Sequence, residues 1–161
     1  MQLNCKIVEI GMSISEYQST AHILLRSASL RVTPVRTAVL SQLLQHGRPV
    51  SHADLWRRKK IRAFNRVTVY RTLIALQKRA IVHAIQGTDG VWRYCAHDLS
   101  REHCPGNHPH FVCKRCRRMS CLLGQTMPYV EVPEGTVVEA KQYVVFGVCA
   151  ECAASQRSKS E

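Results

Sequence analysis

Two short thiol pairs constrain this chain more than any other feature. Cys113 and Cys116 form one C-x-x-C (CKRC), Cys149 and Cys152 form another (CAEC), and residues 117–148 lie between them. Brought together, two such knuckles supply four thiolates, the tetrahedral set that suits a structural zinc ion. A four-thiolate site is closed to substrates, and its binding energy is folding energy. The second half of the chain must therefore turn back on itself. The segment TVVEAKQYVVFGVC, bracketed by the knuckles, reads as a β region.

Thiols and charge are both unevenly placed. Residues 87–161 hold seven of the eight cysteines, and Cys5 is the only one before them. Residues 1–86 carry 14 Lys/Arg against 3 Asp/Glu, a net +11, whereas residues 87–161 carry 9 against 8, a net +1. A small basic half predicts a polyanionic partner, nucleic acid first. No apolar run approaches the roughly 18 residues of a membrane span, and no apolar segment follows a basic start. These features predict a cytoplasmic protein with no membrane association, in which reduced, clustered cysteines bind metal. Residues 1–15 form an N-terminal extension in which Met12 is an alternative start and Cys5 an ordinary thiol. Residues 154–161 (ASQRSKSE) are expected to be a disordered tail.

The basic half reads as short helices. SEYQSTAHILLRSA, from Glu16, places Ile23, Leu24 and Ala28 at helical spacing. In the next helix Thr33 caps, Pro34 takes the first turn, Val35, Val39, Leu40, Leu43 and Leu44 form the stripe, and Gly47 stops it. A third helix starts at Ser51 (VSHADLWRRKK). Asn65 caps a fourth, RVTVYRTLIALQKRA, with Val69, Leu73, Leu76 and Ala80 inward. AIVHAIQ and VWRYCAH, joined by GTDG, read as a β-hairpin. Helices followed by a hairpin describe a winged helix, whose last helix enters the major groove of double-stranded DNA. Arg66, Thr68, Tyr70 and Arg71 lie on or near the exposed side of that helix. Arg31, Arg66 and the run from Arg57 and Arg58 to Lys60 supply phosphate contacts.

A second group of candidate ligands remains: His83, Cys95, His97, His103, Cys104, His108, His110 and Cys121. His108 and His110 form an H-x-H, and in an extended strand both point to one side, where one ion can take both imidazoles. His83 and Cys95 lie on the two wing strands, so they can join only if the chain folds back.

The runs SLRVTPVRTAVLSQL and VTVYRTLIALQKRAIVH, the H-x-H before CKRC and the closing YVVFGVCAEC resemble the ferric uptake regulator superfamily, from about Leu25 to Cys152. The resemblance implies an α+β fold, with a winged helix-turn-helix DNA-binding domain at residues 16–97 and a hinge at 98–104. A small α/β dimerisation and metal-binding domain at 105–153 follows. It further implies a homodimeric, metal-dependent transcription factor on operator DNA, with no small-molecule substrate and no enzymatic activity. Cys113, Cys116, Cys149 and Cys152 take the structural zinc. His108 and His110 match the family's regulatory H-x-H. Cys95 falls where iron-sensing members carry a glutamate and zinc-sensing members a cysteine, and His83 matches a histidine of some zinc uptake regulators. The set His83, Cys95, His108, His110 implies a zinc-responsive repressor of zinc uptake genes, with one structural and one regulatory Zn2+ per protomer.

The chain departs from the family pattern in several places. Pro49 stands where iron sensors often place a hinge histidine, with His52 three residues on, and Lys141 stands where a third family site often has a histidine. Cys121 replaces a carboxylate and is an alternative ligand, as His97, His103 and Cys104 are for an extra site. LLGQTMPYVEVPEGT, interrupted by Pro128 and Pro133, implies a shortened helix in the dimerisation domain. An iron- or peroxide-sensing regulator is the nearest rival, and it would need nitrogen and oxygen ligands. A thiol redox enzyme using CKRC lacks the βαβ pattern and leaves the second knuckle without a role. A zinc hydrolase needs a carboxylate base, and residues 103–121 contain none.

Overall fold

The computed structural model describes residues 12–96, 108–123, 125, 127–139 and 141–157. Its elements are α1 (Ile14–Ser27), α2 (Pro34–His46), β1 (Val50–Ser51), α3 (His52–Trp56), α4 (Lys59–Arg62), α5 (Arg66–Lys78), β2 (Val82–Gln86), β3 (Trp92–Ala96), β4 (His110–Cys113), β5 (Met119–Cys121), β6 (Val144–Gly147) and α6 (Ala150–Arg157). Helices gather in the first half and two small sheets follow, the expected α+β class.

Local chemistry sets the helix ends. Thr33 accepts a hydrogen bond from the Arg36 N–H, Pro34 occupies the first turn of α2, and Gly47 closes it at φ 63°, a left-handed value that suits glycine. Asn65 accepts from the N–H groups of Val67 and Thr68 at the start of α5. The helix expected from Ser51 is instead two, α3 and α4, broken at Arg57 and Arg58. Leu55 and Ile61 are both fully buried. Six positions apart on one continuous helix they would point about 120° from each other, so the break lets both reach one core. In α1 the buried residues are Ala21, Leu24 and Leu25, while Ile23 is 67% exposed. The i, i+3, i+4 stripe starts two residues earlier than expected.

Sheet one has strand order β1-β3-β2 and pairs His83 with Cys95 and Ala84 with Tyr94. Strand β2 serves two cores through its alternation. Val82 and Ala84 pack with the helices, whereas Ile85 packs with Val112, Met119 and Val144 of the second half. Sheet two has order β5-β4-β6, antiparallel between β4 and β5 and parallel between β4 and β6. The second half thus rests on the wing strand.

Of the β region expected between the knuckles, only Val144–Gly147 is a strand. The described residues between β5 and β6 contain no helix, as befits a stretch with prolines at 128 and 133. Helix α6 continues to Arg157, through the first four residues of the expected tail. The hinge (98–104) and the ligand candidates His97, His103 and Cys104 lie outside the described residues.

Candidate metal centres

The first knuckle leaves β4 at Cys113, turns, and re-enters β5. Arg117 donates its N–H to the Cys113 carbonyl at 2.9 Å and takes a left-handed φ of 58°. The second knuckle straddles the start of α6, where the Ala153 N–H bonds the Cys149 carbonyl at 2.9 Å. Parallel pairing of Cys113 with Gly147 brings the two together. Sulfurs of Cys113, Cys116, Cys149 and Cys152 all lie within 4.8 Å of one another. The Cys116 and Cys149 sulfurs are 3.8 Å apart, which matches the S–S edge of about 3.8 Å that a tetrahedron with Zn–S near 2.3 Å requires.

Polar groups around these thiols prepare them unequally. Backbone N–H groups of Cys116 (3.5 Å) and Cys149 (3.3 Å) point at the Cys113 sulfur and lower its pKa to about 6. Cys152 is pushed up to about 12, first through its contact with Cys149. The two knuckles are also tied side to side. The Arg118 guanidinium meets both carboxylate oxygens of Glu151 at 2.7 Å, and Arg115 donates to the Cys152 carbonyl at 2.9 Å.

The second centre lies between the sheets. Cross-strand partners share a face, so His83 and Cys95 project together from the wing, and His110 and Cys121 project together from sheet two. His83 Nε2 sits 3.3 Å from His110 Nε2, and the Cys95 and Cys121 sulfurs are 3.7 Å apart. His108, buried, stacks against both imidazoles with ring centroids at 5.2 and 4.5 Å.

Donor atoms of His83, His108, His110 and Cys121 all come within 4.8 Å of one another. Of the expected quartet the structure therefore brings three histidines together with Cys121, and Cys95 stands outside this mutually close set, against Cys121. His110 Nδ1 is buried with no hydrogen-bond partner, an arrangement that costs about 1–3 kcal/mol. The Cys121 thiol is held far below its usual range, first by its hydrogen bond with Cys95 and then, against burial, by the imidazoles of His108, His110 and His83. Imidazoles and a ready thiolate fit a borderline-soft divalent ion.

On the helical half, Arg31, Arg57, Arg66, Thr68, Tyr70 and Arg71 are exposed and Arg58 half-buried. Arg62 and Arg66 lie over the Trp56 ring, at 5.7 and 5.8 Å from its centroid. His52 joins this helical face, with Nε2 3.1 Å from the Arg66 carbonyl oxygen and its ring edge-on to Tyr70. Sequence reasoning missed Trp56 as a platform for these arginines. The signal was the tryptophan directly ahead of a basic run.

The ferric uptake regulator family has a sequence model that matches residues 27–127. The chain belongs to this family. The transcriptional regulator FurA of Mycobacterium tuberculosis (strain ATCC 25618 / H37Rv) is 30% identical over 146 residues, 84% of this chain and 92% of its own. The ferric uptake regulation protein of Bacillus subtilis (strain 168) is 30% identical over 135 residues, 80% and 89% of the two chains. Among solved structures, a zinc uptake regulator complexed with zinc and DNA superposes with a TM-score of 0.66 at 20% identity, covering 91% of this chain and 99% of that one. Holo XcZur superposes at 0.59 with 26% identity, covering 88% and 99%. Ferric uptake regulator family proteins are metal-responsive, DNA-binding transcriptional regulators and not enzymes. Among the described residues no helix is long and apolar enough to cross a membrane.

Proposed function

We propose that this protein is a homodimeric, zinc-responsive repressor of zinc uptake genes, with one structural and one regulatory zinc per protomer. The donor set between the sheets carries this assignment: three imidazoles and a thiol, with a second thiol in contact and, among the described residues, no carboxylate in the group. Thiolate beside imidazole favours zinc, whereas ferrous iron is usually held by nitrogen and oxygen. Curated relatives named for ferric uptake make iron the competing occupant.

Zinc there would supply a fixed coordinate cross-link between two sheets. His83 presents one imidazole from the wing, and His108, His110 and Cys121 present two imidazoles and a thiol from the second half, with Cys95 against Cys121. Joining them restricts how the wing and α5 sit relative to the second half. Metal tightens operator binding only to the extent that it prefers the arrangement that fits DNA. Arg31, Arg57, Arg58 and Arg66 hold phosphates, and Thr68, Tyr70 and Arg71 face the groove. Exposed apolar side chains of Tyr129, Val130, Val137, Tyr143, Phe146 and Val148 and the open edge of β6 support a second copy as partner.

In vitro competition discriminates poorly, because most sites prefer zinc to ferrous iron. The decisive experiment is transcript profiling of a strain lacking the gene, in zinc-replete and iron-replete media. Zinc-uptake transcripts should rise in the mutant under zinc sufficiency. Derepression confined to iron-uptake transcripts would sink the zinc assignment.

A further inference from the structure

We propose that Cys95 and Cys121 form a peroxide-responsive dithiol, whose disulfide closes the junction site to metal and ties the wing strand β3 to β5. Among the described residues five donors converge between the sheets, of which His83, His108, His110 and Cys121 are mutually close. A four-coordinate ion leaves one donor over. That donor is Cys95, fully buried, with its sulfur 3.7 Å from the partly buried sulfur of Cys121. A disulfide needs about 2.0 Å between sulfurs, so the pair must close by about 1.7 Å.

Exposure sets the order of events. The Cys121 sulfur attacks one oxygen of hydrogen peroxide, the O–O bond breaks, and the leaving hydroxide takes a proton to become water. Cys121 is then a sulfenic acid. The Cys95 sulfur attacks the Cys121 sulfur, the S–S bond forms, and the S–O bond breaks. The departing hydroxyl leaves with the Cys95 proton as a second water. Two thiols and one peroxide give one disulfide and two waters. A buried resolving thiol beside the first keeps the oxidation reversible.

The knuckle sulfurs Cys116 and Cys149 are almost as close, at 3.8 Å, yet all four knuckle thiols belong to one closed set with no further thiol in it among the described residues. Zinc at the junction would occupy Cys121 and protect it, so the switch acts on protein lacking that ion. The linkage itself rests on the two sulfurs alone, and only its effect on metal rests on the sensing role proposed above.

The test uses the full-length protein, stripped at the junction by mild chelation with the knuckle metal retained. It is treated with stoichiometric hydrogen peroxide, alkylated, digested and mapped by mass spectrometry, with zinc uptake measured alongside. The expected result is a Cys95–Cys121 linked peptide, loss of the second zinc equivalent, and recovery of both by dithiothreitol. Cys95→Ala should instead give a dimedone-reactive Cys121. A linkage between any other pair, no linkage, or full zinc uptake by the linked protein would overturn the proposal. If the reduced protein takes up no second zinc at all, the sensing role fails separately, and the mapped peptide still decides the linkage.

Discussion

His83 and His110 meet at 3.3 Å, Nε2 to Nε2, although they belong to different sheets and lie 27 positions apart. Two imidazole nitrogens meet at this distance either through one N–H···N hydrogen bond, with the proton on one Nε2 and a lone pair on the other, or through an ion that both share. His110→Gln should therefore abolish the second zinc equivalent while the knuckle zinc stays. The affinity loss should exceed the roughly 10–100-fold that removing an outer-shell partner costs. Elemental analysis after mild chelation checks this, and two retained equivalents would refute it.

Removing one knuckle thiol should unfold the second half alone. Structural zinc contributes an apparent 10–16 kcal/mol or so in small zinc domains, more than sheet two, with its few buried apolar residues (Val112, Met119 and the wing's Ile85, with Val144 half-buried), can replace. Cys149→Ser should lower the melting transition of sheet two and leave the helical half folded. Calorimetry of the variant should show two separated transitions where the parent shows closer ones.

His46 gives a stability effect with a definite sign. Arg58 lies 3.0 Å from its Nδ1 and Arg48 3.3 Å from its Nε2. Burial first, and then these two guanidiniums, lower its pKa from 6.5 to about 4. Between those values the unfolded chain binds a proton that the folded chain refuses. The stability linked to His46 is thus complete above pH 6.5 or so and is lost as pH falls towards about 4. In His46→Gln, the drop in urea midpoint from about pH 7.5 to about pH 5 should shrink. An undiminished drop would assign the acid sensitivity to other groups, such as Asp89, whose carboxyl is held low by Arg93.

Gln142 forms a latch that needs no metal. Its amide donates to the Gln86 carbonyl at 2.7 Å and its oxygen accepts from the Gln86 N–H at 3.4 Å. Gln142→Ala should cost about 0.5–1.5 kcal/mol and speed hydrogen exchange at the Gln86 amide. Unchanged exchange there would mean that the latch is not formed in solution.

Arg66→Ala should weaken binding to different operators by a similar factor and reduce the slope of log affinity against log salt by about 0.9. Thr68→Ala should change the preference between operators more than the slope. Fluorescence anisotropy over a salt series separates the two, and equal slopes for Arg66→Ala and the parent would remove Arg66 from the phosphate set.

Much of this was legible before any coordinates, wherever the chemistry is local. Thr33, Pro34, Gly47 and Asn65 act on backbone groups within a few residues of themselves, so helix ends could be read directly. The knuckles and the H-x-H could be read because spacing alone places their donors. The membership of the junction set could not. Whether Cys95 or Cys121 joins the histidines depends on how sheet two seats on the wing, and that seating is decided by Ile85 packing against Val112 and Met119. The break between α3 and α4 was hidden for a similar reason, since it answers to a core that Leu55 and Ile61 share. Gln142 gave no signal, because a side chain that bonds a distant backbone leaves no periodic trace.

Strand β2 faces the helical core with Val82 and Ala84 and the second half with His83 and Ile85. Under the proposed function, news of metal has almost no distance to travel, because the strand that carries His83 is itself a wall of the helical domain. The same economy makes the strand unforgiving to evolution. Inserting or deleting one residue in it would exchange the two faces, turning histidine towards oil and valine towards the junction, so the proposed sensing and the folding would be lost in a single event. Point changes in ligand type remain open to such a lineage, whereas changes in strand length do not.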